Sequence, residues 1–453
     1  MKEARNAKPE ARNGRAKEDE LSAMASSNTG SGQTKDAWRF ALPVLLLLYL
    51  AFAGVHAALV PRGNTGYQNA PDEAAHVVFV RSVAGLHLPT HDHPTPFSDT
   101  PVPNGYEWHQ PPLYYMLAAP FLLLGEQGIR LFSILCGLCA LLLIHRTARL
   151  LFPSDRVLAL LAVGIAALTP THAAITSTVN NDVLLEVCFS ASLFVLIGAL
   201  LNGFTQRSAL WLGLTIGAAI LTKATGLLLL PVFGFALLLM WRSGGSLKEL
   251  LRNAGMTLGI ALLISGWWFV RNQVLYGQPL PLRLFAEDFG GTVQAAAAAD
   301  KVGGWGAYYL QAGLVTFFSF WAVYGTAKSA IKGIPLFLPV QIYMMLGVAG
   351  LCAAAGMVRV HLQRKTLFTT AQLQSLWVCF LTIALVGLSY LAFISKYFQW
   401  QGRYLFPAML PIVLVFAMSF RGLFSERWKN AASAALLGLI GLTALAFLLY
   451  AMP

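Results

Sequence analysis

The chain has 453 residues, of which 57% are hydrophobic and 11% are charged, and its formal net charge is +12. With a mean hydropathy of +0.61, the composition excludes a single water-soluble domain, because one core cannot bury so much apolar surface. The positive charge does not by itself indicate nucleic-acid binding, since Lys and Arg also collect in the cytoplasmic loops of membrane proteins. The composition predicts an integral membrane protein.

The amino-terminal part of the chain differs from the rest. Residues 1–36 have no apolar run and are rich in Lys, Arg, Glu, Ala, Gly and Ser, which is typical of a disordered tail. The apolar stretch 38–60 is long enough to span a bilayer, so we expect a retained signal-anchor helix. The sequence thus predicts a disordered cytoplasmic tail at 1–36 and a transmembrane domain at 37–453.

Windows of apolar residues predict an all-α polytopic fold with about eleven membrane spans. The predicted spans cover residues 38–60, 130–150, 157–171, 183–202, 208–224, 225–241, 253–270, 335–357, 373–395, 404–420 and 431–451. With a cytoplasmic amino terminus, the basic residues collect in the inner loops, as the positive-inside rule requires. Two long segments, 61–129 and 271–334, then form outer loops. Their short apolar stretches, 112–125 and 312–325, are expected to be interfacial or re-entrant helices.

The first outer loop contains a cluster of ionisable residues at 71–76. Asp72 and Glu73 are adjacent, and His76 follows one helical turn later, so we expect all three in the first turn of an amphipathic helix. Either carboxylate could act as a general base, and the other could bind an acceptor or orient His76. An ordinary charged helix start is the alternative interpretation.

A second polar cluster follows in the same loop. His109 and Gln110 precede two prolines, and Tyr114 and Tyr115 come next. We expect this cluster to anchor an interfacial helix and to contribute His109, Gln110 and Tyr114 to substrate binding, although an aromatic belt also explains the tyrosines. The His-Asp-His sequence at 91–93 lacks a fourth ligand at a spacing typical of metal sites.

Acidic and amide side chains open the fourth predicted span. Asn181 and Asp182 stand at its start, and Glu186 shares a helix face with Asp182 at spacing i, i+4. A helix amino terminus stabilises a negative charge such as that of Asp182. We expect Asn181 and Asp182 to bind substrate, whereas an N-cap followed by a buried, paired Glu is the alternative.

Three cations lie at outer ends of predicted spans, against the positive-inside bias: Lys223, Arg271 and Arg403. A charge at the centre of a bilayer costs about 2.5–3.5 kcal/mol, so such residues require an explanation. Snorkelling to the interface explains any one of them. Three cations at the same membrane depth predict binding of an anion, particularly a lipid phosphate. Tyr404, next to Arg403, is expected to contribute to substrate binding.

The order of these motifs resembles that of the GT-C membrane glycosyltransferases. The shared features are a first span, an outer loop opening with Asp-Glu, then His-x-Pro-Pro-Leu-Tyr-Tyr, an Asn-Asp at a helix start and a late Arg-Tyr-Leu-x-Pro. The likeness extends over roughly residues 38 to 420. It is greatest to the glycosyltransferase family 39-like group, the bacterial relatives of protein O-mannosyltransferases and aminoarabinose transferases.

This resemblance implies an inverting transferase that moves a sugar from a polyprenyl-phosphate donor to an acceptor hydroxyl. It places the active site on the periplasmic side of a bacterial inner membrane, in the cell envelope. It also assigns the catalytic base to the first outer loop, hence to Asp72, with Glu73 as neighbour or alternate. The partners implied are the donor, membrane lipids and a lipid, glycan or protein acceptor, with no nucleic acid.

Two alternatives accompany this interpretation. Asp72, Asp182 and His76 are acceptable ligands for a divalent cation, but the three cations make one less necessary, so we expect a divalent cation to be an option and not an obligatory cofactor. A transporter or flippase for a lipid-linked or anionic solute would also use intramembrane cations. That class predicts internal repeats, and the two halves of this sequence show no convincing similarity.

Overall fold

A computed structural model describes residues 40–60, 72–91, 106–322, 329–331, 334–336 and 338–450. The predicted tail at 1–36 and Pro71 lie outside these residues. The chain forms two compact units, Met1–Leu45 and Leu46–Pro453. The described part of the first unit is Phe40 and the start of helix α1. The second unit contains all other described elements.

The described residues are almost entirely helical. The α-helices are α1 Ala41–Leu59, α2 Glu73–Ala84, α3 Leu113–Ala118, α4 Glu126–Leu151, α5 Arg156–Leu168, α6 Pro170–Ile175, α7 Asp182–Asn202, α8 Gln206–Thr222, α9 Leu229–Arg242, α10 Leu247–Tyr276, α11 Leu282–Asp288, α12 Ala295–Val302, α13 Trp305–Ala322, α14 Val340–Leu362, α15 Arg364–Leu367, α16 Thr370–Ile394, α17 Met409–Leu423 and α18 Lys429–Tyr450. Short 3₁₀ helices cover Tyr106–His109, Ala119–Leu124, Ala224–Leu228, Phe289–Gly291 and Gly402–Ala408. Strands β1 Ser329–Ile331 and β2 Ile334–Leu336 form a small antiparallel pair in which Ser329 faces Leu336.

The predicted all-α polytopic membrane fold is confirmed. Within the described ranges, nine helices are long and apolar enough to cross a bilayer, compared with about eleven predicted. The other two predicted spans, 157–171 and 208–224, correspond to α5 and α8, which have 13 and 17 residues. Helix α5 stops at Leu168 because Pro170, which has no backbone N–H, begins the next helix. A hydropathy window counts apolar residues and does not register this break.

The two apolar stretches expected to be interfacial helices are also helical. Helix α3 and the following 3₁₀ helix cover Leu113–Leu124, and α13 contains the described part of 312–325. Six α-helical residues at about 1.5 Å and six 3₁₀ residues at about 2.0 Å per residue extend about 21 Å, which is shorter than the roughly 30 Å hydrocarbon core of a bilayer. Length alone therefore prevents the first of them from spanning.

Small residues bring α8 close to α10. A Cβ added at Gly213 would lie 2.8 Å from the Thr257 carbonyl oxygen, and one at Gly217 would lie 3.0 Å from the Cα of Ala261. The Thr257 hydroxyl donates to the Ala209 carbonyl at 3.1 Å. Such small-residue interfaces let membrane helices approach closely. The packing fixes α8, whose carboxyl-terminal end reaches the cavity described below.

A buried ion pair joins four segments of the second unit. Arg130, 1% exposed, donates to both carboxylate oxygens of Glu73, at 2.8 and 2.5 Å. Its Nη1 also donates to the carbonyls of Ala57 and Val60 at 2.7 and 2.8 Å. The backbone N–H of Val179 donates to Glu73 Oε1 at 2.9 Å. The pair thus connects the end of α1, the start of α2, α4 and the segment before α7.

We expect Glu73→Gln to lower the free energy of unfolding by about 3–5 kcal/mol, because it leaves the Arg130 charge buried without its anion. Sodium dodecyl sulfate titration in mixed micelles measures this. The matched control is Glu126→Gln, which removes an ion pair with the 47% exposed side chain of Arg81 and is expected to cost about 1 kcal/mol or less. Equal losses in the two variants would contradict the role given to the buried pair.

Candidate active site

A cavity of about 380 Å³ lies where α2, α7 and the 3₁₀ helix Gly402–Ala408 begin and where α8 ends. The apolar residues of its lining include Leu185, Phe285, Phe289, Val386 and Phe393. Polar and charged side chains make up much of the rest of the lining. Nine of the twelve predicted site residues line it, namely Asp72, His76, His109, Gln110, Asn181, Asp182, Lys223, Arg403 and Tyr404. The fold therefore brings together residues from distant parts of the sequence.

The other three predicted site residues lie outside the cavity lining. Glu73 is engaged with Arg130, as described above. The Tyr114 hydroxyl contacts the Ser133 hydroxyl at 2.8 Å and accepts the backbone N–H of Asn180 at 3.1 Å. Their observed contacts are with the protein's own buried groups.

Arg271 is the third predicted site residue that lies outside the cavity lining. Its guanidinium donates to the Pro89 carbonyl at 2.8 Å and lies 4.7 Å from the ring centroid of Trp268. These contacts attach the segment that follows α2 to the end of α10. In this position Arg271 stabilises the loop beside the cavity.

Asp72 adopts an unusual backbone conformation. Helix α2 begins at Glu73, so Asp72 is the N-cap residue rather than part of the first turn, and its side chain makes no capping hydrogen bond. Its φ of 66° lies in the left-handed region, where residues other than glycine are uncommon. Arg403 Nη2 donates to Asp72 Oδ2 at 2.8 Å. Strained residues of this kind concentrate at functional sites.

The position of Arg403 depends on the glycine before it. The Gly402 N–H donates to the Ser319 hydroxyl at 2.7 Å, and a Cβ on Gly402 would lie 2.7 Å from the Thr316 carbonyl oxygen. Only glycine allows this approach to α13. Arg403 Nε also donates to Gln401 Oε1 at 2.6 Å, so its guanidinium is held at the cavity wall.

A second ion pair forms where α7 begins. Lys223 Nζ donates to Asp182 Oδ1 at 2.5 Å, and the Asp182 backbone N–H donates to Asn180 Oδ1 at 2.7 Å. Asn181 Nδ2 donates to Gln110 Oε1 at 3.0 Å. These bonds bring the predicted amide, carboxylate and ammonium groups of three loops to one place.

Glu186 does not accompany Asp182 in the cavity lining. Both of its carboxylate oxygens lie 3.0 Å from His172 Nε2, deeper in the protein. The structure thus shows the alternative considered for this residue, a buried Glu paired with a neighbour.

Two buried titratable groups lie beside Asp72. His76 Nδ1 is 2.9 Å from the Tyr115 hydroxyl, and burial lowers the pKa of His76, which favours the neutral ring. Burial raises the pKa of Glu107, and the charge of Asp72 adds to this effect. Glu107 is 6% exposed and hydrogen-bonds to Gln110. Glu107 was not predicted from the sequence, where its proximity to the 109–110 cluster is the one signal.

Two cationic side chains, Arg403 and Lys223, line the cavity. In the part of the chain that the structure describes, no group of three or more His, Cys, Asp or Glu could hold a metal ion. Of the His-Asp-His sequence at 91–93, only His91 is described, and its Nε2 lies 3.3 Å from Asp288 Oδ1. Asp72 and Asp182 are each paired with a cation instead.

The fold is similar to that of the oligosaccharyltransferase of Archaeoglobus fulgidus. The structure of that enzyme tethered to an acceptor peptide by a disulfide has a TM-score of 0.53 and 13% identity, over 92% of this chain and 56% of the other. Its complex with an inhibitory peptide and a dolichol-phosphate has a TM-score of 0.51 and 13% identity, over 90% of this chain and 56% of the other. Its complex with Zn and sulfate has a TM-score of 0.52 and 14% identity, over 91% of this chain and 52% of the other. This chain therefore spans about half the length of that enzyme, and the likeness shows the fold.

A sequence model of the family described as dolichyl-phosphate-mannose-protein mannosyltransferase matches residues 109–269. The predicted resemblance to the GT-C glycosyltransferases is confirmed. The range matched by this GT-C family includes Asn181, Asp182 and Lys223, whereas Asp72 and Arg403 lie outside it. No curated protein sequence matches the chain.

We expect Gly402→Ala to lower the free energy of unfolding by about 1–3 kcal/mol, because the added methyl group overpacks the contact with α13. The control is Gly387→Ala in α16, where a Cβ meets nothing within 4 Å. That change should be neutral or raise stability by about 0.5–1 kcal/mol through helix propensity. Detergent unfolding curves of both variants give the comparison, and a neutral Gly402→Ala would show that the close approach is not required.

Proposed function

We propose that this protein is a membrane glycosyltransferase that moves a sugar from a polyprenyl-phosphate donor to an acceptor hydroxyl. The observation that carries the proposal is the presence in one cavity of the Asp72–Arg403 and Asp182–Lys223 pairs. The reaction needs a carboxylate that removes a proton and cations that stabilise a departing phosphate. Both requirements are met within this one cavity.

Asp72, rather than Glu73, is the proposed base. The side chain of Asp72 is 40% exposed and lines the cavity. Glu73 is buried, and its oxygens already accept hydrogen bonds from Arg130 and from the Val179 N–H. Both oxygens of Glu73 are thus occupied by the protein's own donors, and its side chain lies outside the cavity lining.

Arg403 and Lys223 are the proposed phosphate ligands. A guanidinium binds a phosphate through two parallel hydrogen bonds, and an ammonium contributes a compact charge. When the donor phosphate takes Arg403, the Asp72 carboxylate is released from its ion pair and can accept a proton from the acceptor. Donor binding thus frees the base.

The reaction then proceeds as a single displacement. Asp72 accepts the proton of the acceptor hydroxyl, and the acceptor oxygen forms a bond with the anomeric carbon of the sugar. The bond between that carbon and the phosphate oxygen breaks, and polyprenyl phosphate leaves with its charge stabilised by Arg403 and Lys223. Attack opposite the leaving group inverts the anomeric configuration.

The apolar residues of the cavity lining favour a lipid-linked donor. Phe285, Phe289 and Phe393 lie in the same cavity as the two cations, so an isoprenoid chain can pack against them while its phosphate binds Arg403 and Lys223. The archaeal oligosaccharyltransferase with a similar fold has been solved with a dolichol-phosphate. We place the site on the periplasmic face of a bacterial inner membrane, with a lipid, glycan or protein acceptor. The two cations supply the charge stabilisation in this scheme, without an obligatory divalent cation.

We expect Asp72→Asn to reduce sugar transfer by about 10²–10⁴-fold, the usual contribution of a general base. Arg403→Ala should reduce it by about 10²–10³-fold, as expected for loss of a group that stabilises transition-state charge. The assay supplies purified protein in nanodiscs with a panel of radiolabelled polyprenyl-phosphate sugars and a membrane extract as acceptor.

The matched controls are Asp300→Asn and Arg427→Ala, since both residues are exposed and lie outside the cavity lining. They should retain wild-type transfer. Undiminished transfer in both site variants would overturn the residue assignment. Net solute flux into sealed vesicles without any sugar transfer would favour a transporter.

A further inference from the structure

Three buried polar atoms in the cavity lining have no hydrogen-bond partner among the residues described. They are Glu107 Oε2, Asn180 Nδ2 and Asn181 Oδ1. The three residues are 6%, 1% and 1% exposed. Nearly all buried polar groups in proteins have partners, so three in one cavity lining indicate polar ligand atoms at that place.

Neighbouring bonds fix the orientation of the two amides. Asn180 Oδ1 accepts the Asp182 N–H at 2.7 Å, so its Nδ2 is the remaining donor. Asn181 Nδ2 donates to Gln110 Oε1 at 3.0 Å and to the Thr222 carbonyl at 3.3 Å, so its Oδ1 is the remaining acceptor. The pair therefore offers one donor and one acceptor.

Glu107 differs chemically from the other cavity carboxylates. Asp72 and Asp182 have cationic partners, whereas Glu107 has no ion pair within the described ranges. Burial raises the pKa of Glu107, which favours the protonated carboxyl. A protonated carboxyl offers one O–H donor as well as acceptor lone pairs.

The combined set is uncharged and contains both donors and acceptors. A phosphate would require several donors and positive charge, and Arg403 and Lys223 supply the positive charge in this lining. A hydroxyl group donates one hydrogen bond and accepts others, so it satisfies both kinds of atom. A neutral sugar presents several such groups in one ring.

We propose that Glu107, Asn180 and Asn181 form a subsite that binds the hydroxyl groups of a neutral sugar. This rests on the proposed function, because it places the sugar in the cavity that holds the phosphate-binding cations. The hydroxyl groups belong either to the donor sugar or to the acceptor. Glu107 acts here as a hydrogen-bonding carboxyl and not as a proton-abstracting base.

The test compares Glu107→Ala with Glu107→Gln, since the glutamine amide is neutral and keeps both a donor and an acceptor. The probes are polyprenyl-phosphate mannose and polyprenyl phosphate without sugar, and the readout is the dissociation constant of each from thermal-shift titrations in detergent. We expect Glu107→Ala to lower the preference for the sugar-bearing probe by about tenfold, the effect of one lost hydrogen bond. Glu107→Gln should retain most of that preference.

A second readout identifies the source of the hydroxyl groups. The subsite binds the acceptor if Glu107→Ala leaves the donor preference unchanged but raises the KM for the acceptor about tenfold. Glu107→Gln should then have a KM for the acceptor close to that of the wild type. The control is Glu249→Ala, an exposed residue, which should change neither readout. Melting temperatures without ligand show that each variant is folded.

Two results would overturn the subsite. Glu107→Gln behaving like Glu107→Ala would mean that the charged carboxylate is needed, and unchanged binding and KM in Glu107→Ala would mean that Glu107 contacts no substrate. Failure of the proposed function has a different signature. Wild-type protein would then transfer no sugar from any donor, while the binding comparison of the two probes would still test the subsite.

Discussion

The buried pair of Glu73 and Arg130 is the constraint on which the cavity depends. Removing two charges from water is expensive, and the structure offsets this cost with a two-point ion pair, two carbonyls at the end of α1 and the Val179 N–H. Asp72 precedes Glu73, and residues 180–182 follow Val179. One interaction therefore fixes the positions of two chain segments that line the cavity.

The cavity contains both ion pairs and neutral hydrogen-bonding groups. The Asp72–Arg403 and Asp182–Lys223 pairs keep opposite charges together, and in the proposed function the donor phosphate competes for the two cations. The Glu107 carboxyl, whose pKa is raised by burial, and the adjacent asparagine amides offer further hydrogen-bonding atoms. This arrangement suits a substrate that joins a phosphate to a hydroxylated ring, because each part meets groups of matching chemistry.

Much of the architecture and nine residues of the cavity lining could be predicted from the sequence. Apolar windows identified the membrane helices, and ionisable residues at membrane depth, such as Lys223 and Arg403, are costly enough to indicate a site. In the described ranges nine helices are long and apolar enough to span, and the predicted span 157–171 is divided because hydropathy does not register the helix break at Pro170. Glu107 was missed because it lies in a loop, where a carboxylate is ordinarily solvated and carries no signal.

The sequence by itself determined the membrane fold class and the residue types available for the chemistry, since hydrophobicity and charge are properties of the residues themselves. Only the tertiary structure decided that Asp72 faces the cavity while Glu73 binds Arg130, because neighbouring side chains diverge toward different partners. Those partners are distant in the chain, with Arg403 331 positions from Asp72 and Arg130 57 positions from Glu73. Tertiary packing likewise placed Arg271 on Trp268 and buried Glu107 beside Asp72.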